Sequence, residues 1–298
     1  MENALRGRFI IPHPFKYPDN NELEFERWMM DTDNLHIGDR ELLPITWTAY
    51  YCKHNFGKDP RAIQELQAYI DALPKNRKYY TVVQYDDGIL NDLRELDVKV
   101  FNMSGGGIYC DHSLPLIGSG ISTYSPIPKA LPGAEKSSGV IFIGKSDTHP
   151  IRQQIKKVAE SFEGICAFYD TSTSAHRPIP VGSYIDLMGA YSYALAPRGY
   201  GRTSFRLYEA LAAGCVPVYI ADEDELFFPY DMTKEEFCKE FGAIVISDML
   251  ELKMFFSDVA KGNPDFSQAM DSLVMGRSSK PLLSYDTMLA FIRITLEA

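Results

Sequence analysis

The sequence predicts an α/β protein of two domains, each an αβα layer built on a parallel sheet. Short segments rich in β-branched and aromatic residues alternate with amphipathic helical patterns, which is typical of βαβ units. A chain of 298 residues corresponds to about two domains at a prior of roughly 150 residues each. Residues 122–139 are rich in proline and glycine and have little periodicity, so they are the best candidate for a linker between the domains.

The first half contains one strand–helix–strand pattern. Leu42–Tyr51 (LLPITWTAYY) and Tyr79–Gln84 (YYTVVQ) are rich in β-branched and aromatic residues, which predicts two buried strands. Between them, Asp59 and Pro60 begin a helical pattern that ends at Pro74. We therefore expect a βαβ unit in the first domain.

The second half repeats the alternation. Apolar runs predict strands at Val140–Ile143, Gly164–Tyr169, Tyr191–Ala196, Cys215–Ile220 and Ala243–Ile246. Helical patterns cover Pro150–Phe162, Ser204–Ala213 and Met288–Leu296. Pro217 does not fit its strand, because proline cannot donate a ladder hydrogen bond. Paired α/β domains bind ligands in a cleft at the carboxyl ends of their strands, and we expect the site there.

Charge and cysteine content exclude several classes of protein. The net charge of −10 disfavours nucleic acid and anionic membranes as partners, because both require a basic face. Five cysteines, widely spaced and without a C-x-x-C motif, indicate neither a disulfide framework nor a zinc ribbon, and they suit a reducing compartment. No apolar run has the length of a leader or a membrane span. We expect a soluble, cytoplasmic protein that does not insert into membranes.

A strand-to-helix loop carries the clearest chemical signal. It lies in the segment APRGYGRTSFRLYEALAAG, which places three arginines within nine residues of an acidic chain. Its glycines allow backbone N–H groups to approach a ligand, and a hydroxyl residue can cap the helix, whose N-terminus is partially positive. This combination predicts a site for a pyrophosphate. The predicted contributors are Arg198, Gly199, Gly201, Arg202, Thr203, Ser204 and Arg206.

Glu209 follows one turn beyond the predicted anion site. It lies about 60° from Arg206 around the helix, on a narrow stripe opposite the apolar face. A carboxylate there can accept hydrogen bonds from both hydroxyls of a ribose. The alternative is a surface pair between Arg206 and Glu209 that contributes roughly 0.2–0.5 kcal/mol.

Two other motifs deserve comparison with this interpretation. Gly199-x-Gly201-x-x-Ser204 is similar to a dinucleotide fingerprint without its third glycine, and Asp222 could act as its acidic residue, but that motif relies on backbone donors rather than arginines. Asp222-Glu223-Asp224 is a literal D-x-D, as in many metal-dependent glycosyltransferases. Because an arginine-lined site makes a metal redundant, we favour a solvated acidic loop and predict no metal site.

The segment Tyr193–Ile220 (YALAPRGYGRTSFRLYEALAAGCVPVYI) resembles the exostosin-like (family 47) glycosyltransferases. It matches six or more fixed positions of the family pattern F-C-L-x-P-x-G…S-x-R-L-x-E-A-L-x-A-G-C-I-P-V, and Pro217 is one of them. The segment Phe227-Phe228-Pro229 resembles the L-P-F element that follows, with the order altered. The resemblance thus accounts for the proline within the predicted strand.

Three weaker matches occur in the same order as in the family. Tyr80–Gly88 is similar to H-F-x-V-x-x-H-D-x-G, with Asp86 on the family aspartate. Asp111–Pro115 resembles K-D-x-x-I-P, and Val140–Arg152 resembles the opening strand, glycine and arginine of the nucleotide domain. The last match adds Gly144, Lys145 and Arg152 to the predicted nucleotide site.

The resemblance implies a GT-B fold, in which two Rossmann-like αβα domains face each other across a cleft. The expected domains are residues 1–130 on the acceptor side, 131–275 for the nucleotide sugar, and a terminal helix within 276–298 that crosses back. The implied activity is inverting, metal-independent transfer from a UDP-sugar donor to a glycan acceptor, with no further cofactor. Without an apolar anchor, a bacterial or large-DNA-virus enzyme is expected, with xylose as a candidate sugar.

Inverting transfer also needs a base, which we expect at a strand end of the first domain. Asp86 ranks first through the family match, Asp87 follows, and Asp111 with His112 comes third; Arg198 is assigned to the leaving group. An ordinary turn is the alternative for Asp-Asp-Gly. A catalytically inactive nucleotide- or glycan-binding module, a nucleotide-sugar epimerase and a retaining GT-B enzyme are the alternative functions. The two tryptophans, Trp28 and Trp47, are expected in the core.

Overall fold

The computed structural model describes residues 9–11, 25–32, 35–118, 137–172, 181–262 and 283–298. The chain divides into two compact units. The first unit comprises Met1–Ser122, Pro229–Asp231 and Leu283–Ala298, and the second comprises Thr123–Phe228 and Met232–Leu282. Most of the predicted linker lies outside the described residues.

The strands of the first unit are β1 (His36–Ile37), β2 (Arg40–Leu42), β3 (Lys78–Val83), β4 (Asp97–Asn102) and β5 (His112–Ser113). They form one sheet in the order β1-β2-β3-β4-β5. In this sheet β1 and β2 pair antiparallel, and the other neighbouring strands pair parallel. The helices are α1 (Phe25–Asp31), α2 (Trp47–Lys53), α3 (Pro60–Asp71) and, near the end of the chain, α9 (Tyr285–Glu297).

Three of the predicted elements in this unit are confirmed, one of them the helix Met288–Leu296, which lies within α9. Strand β3 fills most of the predicted Tyr79–Gln84 segment, and α3 begins where the Asp59-Pro60 pattern predicts, with the Asp59 carboxylate accepting a hydrogen bond from the N–H of Arg61 at 3.0 Å. Strand β4 is not among the strands that the sequence predicts.

The predicted strand Leu42–Tyr51 is wrong. Its residues end β2 at Leu42 and then form helix α2, which starts at Trp47. The first five residues of α2 are all buried, so its apolar sequence has no polar face to reveal the helical period. The prediction that Trp47 belongs to the core is confirmed: its indole N–H donates to Oγ1 of buried Thr81 at 2.8 Å.

The second unit contains a fully parallel sheet in the order β10-β9-β8-β6-β7. Its strands are β6 (Ser137–Gly144), β7 (Cys166–Asp170), β8 (Tyr191–Pro197), β9 (Val216–Ile220) and β10 (Ile244–Ile246). Its helices are α4 (Pro150–Glu160), α5 (Val181–Gly189), α6 (Phe205–Ala212), α7 (Lys234–Phe241) and α8 (Met249–Ala260). The predicted α/β class, with two largely parallel sheets, is thereby confirmed.

Strand β9 accommodates Pro217 through the register of its neighbours. On one side Pro217 pairs with Ala194 of β8. On the other side, pairing with β10 starts only at Val218, which lies opposite Ile244. Because no β10 residue is paired with Pro217, its missing N–H removes no bond from that ladder.

Helix α9 belongs to the first unit, where aromatic side chains hold it in place. Tyr285 contacts Phe25 and Trp28, with ring centroids 4.9 and 5.5 Å away. Farther along the helix, Phe291 lies 5.1 Å from Tyr230 and 6.4 Å from Phe101. Among the described residues, no helix is both long enough and apolar enough to cross a membrane. All five cysteines are free thiols.

Candidate functional site

The predicted nucleotide residues gather at the carboxyl edge of the second sheet. Strands β6, β8 and β9 are parallel, so the loops that follow Gly144, Pro197 and Ile220 leave the sheet at the same edge. The loop after β8 leads to the cap of α6, where the Ser204 side chain accepts a hydrogen bond from the N–H of Arg206 at 3.2 Å. The helix N-terminus therefore lies where the sequence predicts.

Arg198 is a buried cation at the start of this loop. Only 7% of its surface is exposed, and its Nη1 forms an ion pair with Oε2 of Glu225, which belongs to the turn after β9. Its Nη2 donates to the carbonyl of Tyr200 at 3.2 Å, and its backbone N–H donates to the carbonyl of Ile220 at 2.9 Å. The hydrogen bond and the charge of Arg198 lower the pKa of the Glu225 carboxyl from its ordinary value.

Several buried polar atoms around this pair lack hydrogen-bond partners among the described residues. They include Nε of Arg198 and the hydroxyl oxygens of Thr148 and Thr203. Thr203 is only 1% exposed and directly precedes the α6 cap. Since buried polar groups are normally paired, these donors mark a place suited to a polar, anionic ligand.

Some of the hydrogen-bonding groups of the glycine-arginine loop are used within the protein itself. The N–H of Gly199 donates to the carbonyl of Thr203 at 3.2 Å, so this donor closes the loop. A methyl group at Gly199 would make only ordinary contacts. The Arg202 carbonyl accepts a hydrogen bond from the Tyr219 hydroxyl at 2.7 Å, while the Arg202 side chain is exposed. The exposed side chain of Arg202 can therefore still act as the cation that the sequence predicts beside the anion site.

Arg152, predicted as a nucleotide ligand, holds neighbouring loops together. It is 5% exposed and lies in α4. Its guanidinium donates to three backbone carbonyls, those of Arg198, Lys145 and Pro197, at 2.8, 2.9 and 3.0 Å. The geometry therefore supports a positioning role for Arg152 rather than direct ligand binding. The side chain of Lys145 is exposed.

The loop after β6 is anchored by Asp170 at the end of β7. The Asp170 carboxylate accepts hydrogen bonds from the N–H and hydroxyl of Ser146, from Ser172 and from Lys156. Burial alone would raise the pKa of Asp170, but the hydrogen bonds from the two serines and the lysine hold it well below its usual range.

Arg206 and Glu209 are connected through a residue that the sequence did not indicate. The Tyr184 hydroxyl, from α5, accepts a hydrogen bond from Nε of Arg206 and donates one to Oε2 of Glu209 at 2.8 Å. The Arg206 guanidinium also lies 5.5 Å from the ring centres of Phe142 and Tyr184. Instead of the simple surface pair considered as the alternative, Tyr184 thus bridges Arg206 and Glu209 in a partly buried position. The Oε1 atom of Glu209 has no partner among the described residues.

Gly144 ends β6 directly beneath Arg206. A Cβ atom placed on Gly144 would lie 2.4 Å from Nη1 of Arg206, closer than real Cβ contacts allow. The close approach of the guanidinium and the φ of 156° both favour glycine here, at the strand end where the family pattern also has one.

His149 is a further residue of this edge, and the sequence gives no sign that it belongs to the site. Its side chain caps α4 by accepting a hydrogen bond from the N–H of Ile151 at 3.3 Å. Burial and the nearby positive charge of Arg198 lower the pKa of His149 below its ordinary value. The His-Pro pair at a helix start is a recognisable capping signal. Neither Tyr184 nor Glu225 has such a local signal.

The acidic D-x-D motif forms a short turn next to this site. Glu223–Glu225 is a 3₁₀ turn, and Asp222, Glu223 and Asp224 are exposed. Within the described part of the chain, no group of three or more histidine, cysteine, aspartate or glutamate side chains is placed to hold a metal ion. Of the acidic run, Glu225 is the member that contacts Arg198.

In the first unit, the candidate bases lie at the carboxyl edge of the sheet. Asp86 is half-buried and Asp87 is exposed, in the turn after β3. Backbone packs on backbone here: a Cβ on Gly106 would lie 1.9 Å from the Asp86 carbonyl oxygen, and one on Gly88 would lie 2.3 Å from the Gly106 carbonyl oxygen. The Asp-Asp-Gly turn is therefore locked onto the glycine loop that follows β4.

Asp111 and His112 lie at the neighbouring strand β5. The Asp111 carboxylate is occupied by the N–H of Val100 at 2.9 Å and by the Lys99 ammonium at 3.1 Å. The Nδ1 atom of His112 lies 2.7 Å from Oδ2 of Asp231. Asp231 is a residue that the sequence analysis missed, since it follows His112 by 119 positions and has no motif of its own.

Chemically, the two edges offer different groups. The edge of the second sheet presents a buried arginine, unpartnered hydroxyls, a capped helix N-terminus and a carboxylate, which together suit the diphosphate and ribose of a nucleotide. The edge of the first sheet presents carboxylates and an imidazole, which can accept a proton.

Comparison with known proteins adds independent information. Residues 111–237 match the family model described as the Exostosin GT47 domain. No curated protein matches the sequence. Two solved α1,3-fucosyltransferase structures are 13% identical to it: the one with GDP has a TM-score of 0.44 over 75% of this chain and 76% of that chain, and the other a TM-score of 0.40 over 75% of each. The matched family segment includes both His112 and the loop that carries Arg198.

Proposed function

From the exostosin GT47 domain that this chain carries over residues 111–237, we propose that the protein is an inverting glycosyltransferase that uses a UDP-sugar. The domain supports the class of enzyme, a glycosyltransferase with a nucleotide-sugar donor and a glycan acceptor. The finer assignments, namely UDP, xylose as the candidate sugar, inversion and independence of metal, are part of the proposal.

One observation carries the proposal: Arg198 is a buried cation whose Nε has no partner among the described residues. In the same loop, at a helix N-terminus, the Thr203 hydroxyl also has none there. A buried, incompletely paired donor set is costly unless a ligand completes it. A diphosphate supplies negative charge and acceptor oxygens at the same place. The exposed cations Lys145 and Arg202 can contribute further charge from the same edge.

In the proposed reaction, the acceptor hydroxyl oxygen attacks the anomeric carbon and the bond from that carbon to the UDP oxygen breaks. The hydroxyl proton passes to a base, and UDP leaves with the bonding electron pair. Arg198 and the α6 N-terminus would stabilise the charge that develops on the leaving oxygen; removing one donor of this kind typically costs roughly 10²–10³ in rate.

Glu209 is proposed to bind the ribose of the donor. Its Oε1 is an available acceptor, and the Tyr184 hydroxyl fixes the carboxylate by donating to Oε2. Arg206 holds Tyr184 in turn, so its contribution to nucleotide binding is the orientation of Glu209. The base is proposed to come from the first unit, among Asp86, Asp87 and His112.

Binding of nucleotides tests the proposal directly. We expect UDP to raise the melting temperature of the wild type, and GDP to do so less. Because Arg198→Gln alone would leave Glu225 unpaired, the matched variant is the double substitution Arg198→Gln with Glu225→Gln, which should lose the UDP shift. Arg94→Gln, at an exposed arginine of the first unit, is the control that should keep it.

Turnover and metal dependence complete the test. Release of UDP from a UDP-sugar in the presence of a sugar acceptor would distinguish the enzyme from an inactive binding module, and the anomeric configuration of the product would distinguish inversion from retention. Activity abolished by EDTA would contradict metal independence and favour the Asp222-Glu223-Asp224 interpretation. Absence of a thermal shift with every UDP species would overturn the proposed donor.

A further inference from the structure

His112 and Asp231 form a hydrogen-bonded pair at the end of β5. Nδ1 of His112 lies 2.7 Å from Oδ2 of Asp231. An ionised carboxylate can only accept, so Nδ1 carries the proton and donates it. In a neutral ring this leaves Nε2 as a bare acceptor, and Nε2 has no hydrogen-bond partner among the described residues.

The second oxygen of Asp231 is also fixed. Oδ1 accepts the backbone N–H of Ser113 at 2.7 Å and the Ser113 hydroxyl at 3.0 Å. The Asp231 N–H donates back to the Ser113 hydroxyl at 2.8 Å. With both of its oxygens held, the carboxylate has a single orientation towards the imidazole.

The backbone that carries Asp231 to His112 has an unusual conformation. Tyr230 and Asp231 both have left-handed backbone angles, with φ of 59° and 56°, although neither is glycine. Such conformations are unfavourable for residues other than glycine and persist only where the surroundings impose them. Here the Tyr230 ring packs on Phe291 of α9, and Ser113 holds Asp231.

The imidazole itself is held between aromatic rings. The His112 ring stacks on Phe101 at 5.2 Å with an interplanar angle of 29°, and the edge of Phe291 lies 6.3 Å away. About a quarter of the His112 side chain, 24%, is exposed. The ring is thus oriented by packing and by one carboxylate, yet it is still accessible to a ligand.

We propose that Asp231 is the positioning residue that fixes His112 as the proton-accepting base, with Nε2 facing the acceptor hydroxyl; this rests on the proposed glycosyl transfer. Asp111 is tied to Val100 and Lys99, and Asp87 is exposed and has no comparable orienting group among the described residues. We rank His112 ahead of Asp86, which the sequence ranked first, because the contact with Asp231 orients the His112 ring. In the reaction the acceptor O–H proton moves to Nε2, and Asp231 stabilises the resulting imidazolium.

The substitution Asp231→Asn tests the pair specifically. Two donors from Ser113 face Oδ1, so the amide oxygen of the asparagine should take that position and its NH₂ group should face Nδ1 of His112. Nδ1 then becomes an acceptor and the proton moves to Nε2, which can no longer act as a base. The variant thus keeps the fold but reverses the tautomer.

The readout is the ¹⁵N spectrum of the histidine rings in the full chain at alkaline pH, with the His112 signals identified by their loss in His112→Gln. We expect a protonated Nδ1 in the wild type and a protonated Nε2 in Asp231→Asn. The control Ser113→Ala, which removes a hydrogen bond to the same carboxylate, should lower stability and leave Nδ1 protonated. A protonated Nε2 in the wild type, or no reversal in Asp231→Asn, would overturn the proposal.

Kinetics provide the second readout. With UDP-xylose, UDP-glucose and UDP-N-acetylglucosamine as donors and methyl glycosides as acceptors, His112→Gln and Asp231→Asn should each lower kcat by roughly 10²–10⁴-fold without changing the affinity for UDP. Wild-type turnover by Asp231→Asn would refute the positioning role. A wild type that binds no UDP would instead overturn the proposed function itself. The failure of the positioning role and the failure of the proposed function are thus read from different measurements.

Discussion

Glu225 should compete with the donor diphosphate for Arg198, and Glu225→Gln should therefore bind UDP more tightly than the wild type. In the structure the Glu225 carboxylate forms an ion pair with Nη1 of Arg198. A phosphate that reaches the same guanidinium must displace this carboxylate or lie next to it. Glutamine removes the negative charge, while the Tyr200 carbonyl continues to hold Nη2 of Arg198.

The size of the effect follows from the electrostatics of the pair. Two like charges about 5 Å apart repel by roughly 3 kcal/mol at an effective dielectric constant of about 20. Because 31% of the Glu225 side chain is exposed, screening by solvent should reduce this to about 1–2 kcal/mol. That corresponds to a roughly 5- to 30-fold lower Kd for UDP. Without ligand, the same substitution leaves Arg198 buried without its counter-ion, so the free energy of unfolding should fall by about 1–3 kcal/mol.

Isothermal titration with UDP and urea unfolding of the same preparations measure both quantities. Glu223→Gln is the matched control, because it removes the same charge from the same turn on an exposed side chain. It should leave both Kd and stability close to the wild type. Equal or weaker UDP binding by Glu225→Gln, or an equal gain in Glu223→Gln, would refute competition at Arg198.

Three further predictions concern the framework of the site. Gly144→Ala should displace the Arg206 guanidinium, which lies 2.4 Å from the new Cβ position, and calorimetry should show a loss of about 1–3 kcal/mol in stability together with weaker UDP binding. Arg152→Met removes three hydrogen bonds to carbonyls of the loops after β6 and β8; urea unfolding should show a loss of at least about 2 kcal/mol, and hydrogen exchange in both loops should become faster. Asp170 has a lowered pKa, so its contribution to stability is complete above the ordinary aspartate pKa and is lost as the pH falls through the folded-state value. Urea unfolding from pH 7 to acid should show this loss in the wild type, and Asp170→Asn should be less stable at pH 7 and less sensitive to acid; an unchanged acid profile would contradict the role of Asp170.

The elements that the sequence predicts well are those whose signals are local. Helix α6 begins at a serine cap directly after a glycine-arginine loop, and α3 begins at an Asp-Pro pair. In both cases a few neighbouring residues satisfy the helix N-terminus, so the start is encoded within a few positions. The convergence of the loops after β6, β8 and β9 at one edge of the sheet follows as well, because parallel strands bring their following loops together.

Where the prediction fails, the deciding interactions are not local. The segment after Leu42 has β-branched and aromatic residues suited to a strand, yet it forms α2 because the surrounding core buries all sides of it. Likewise, the partner of Arg198 is 27 positions away at Glu225, and the partner of His112 is 119 positions away at Asp231. Residue types identify such groups as chemically capable, whereas only the fold determines which of them are paired.

The three arginines of the anion segment show how this difference changes the chemistry. Counting cations suggests that Arg198, Arg202 and Arg206 act together on a diphosphate. In the structure Arg206 orients Glu209 through Tyr184, and Arg202 is exposed. Of the three, Arg198 is the buried cation with a donor that lacks a partner among the described residues, and even its charge is balanced by a carboxylate. The strength of anion binding should therefore depend less on the number of arginines than on the single equilibrium in which a phosphate replaces a carboxylate at Arg198.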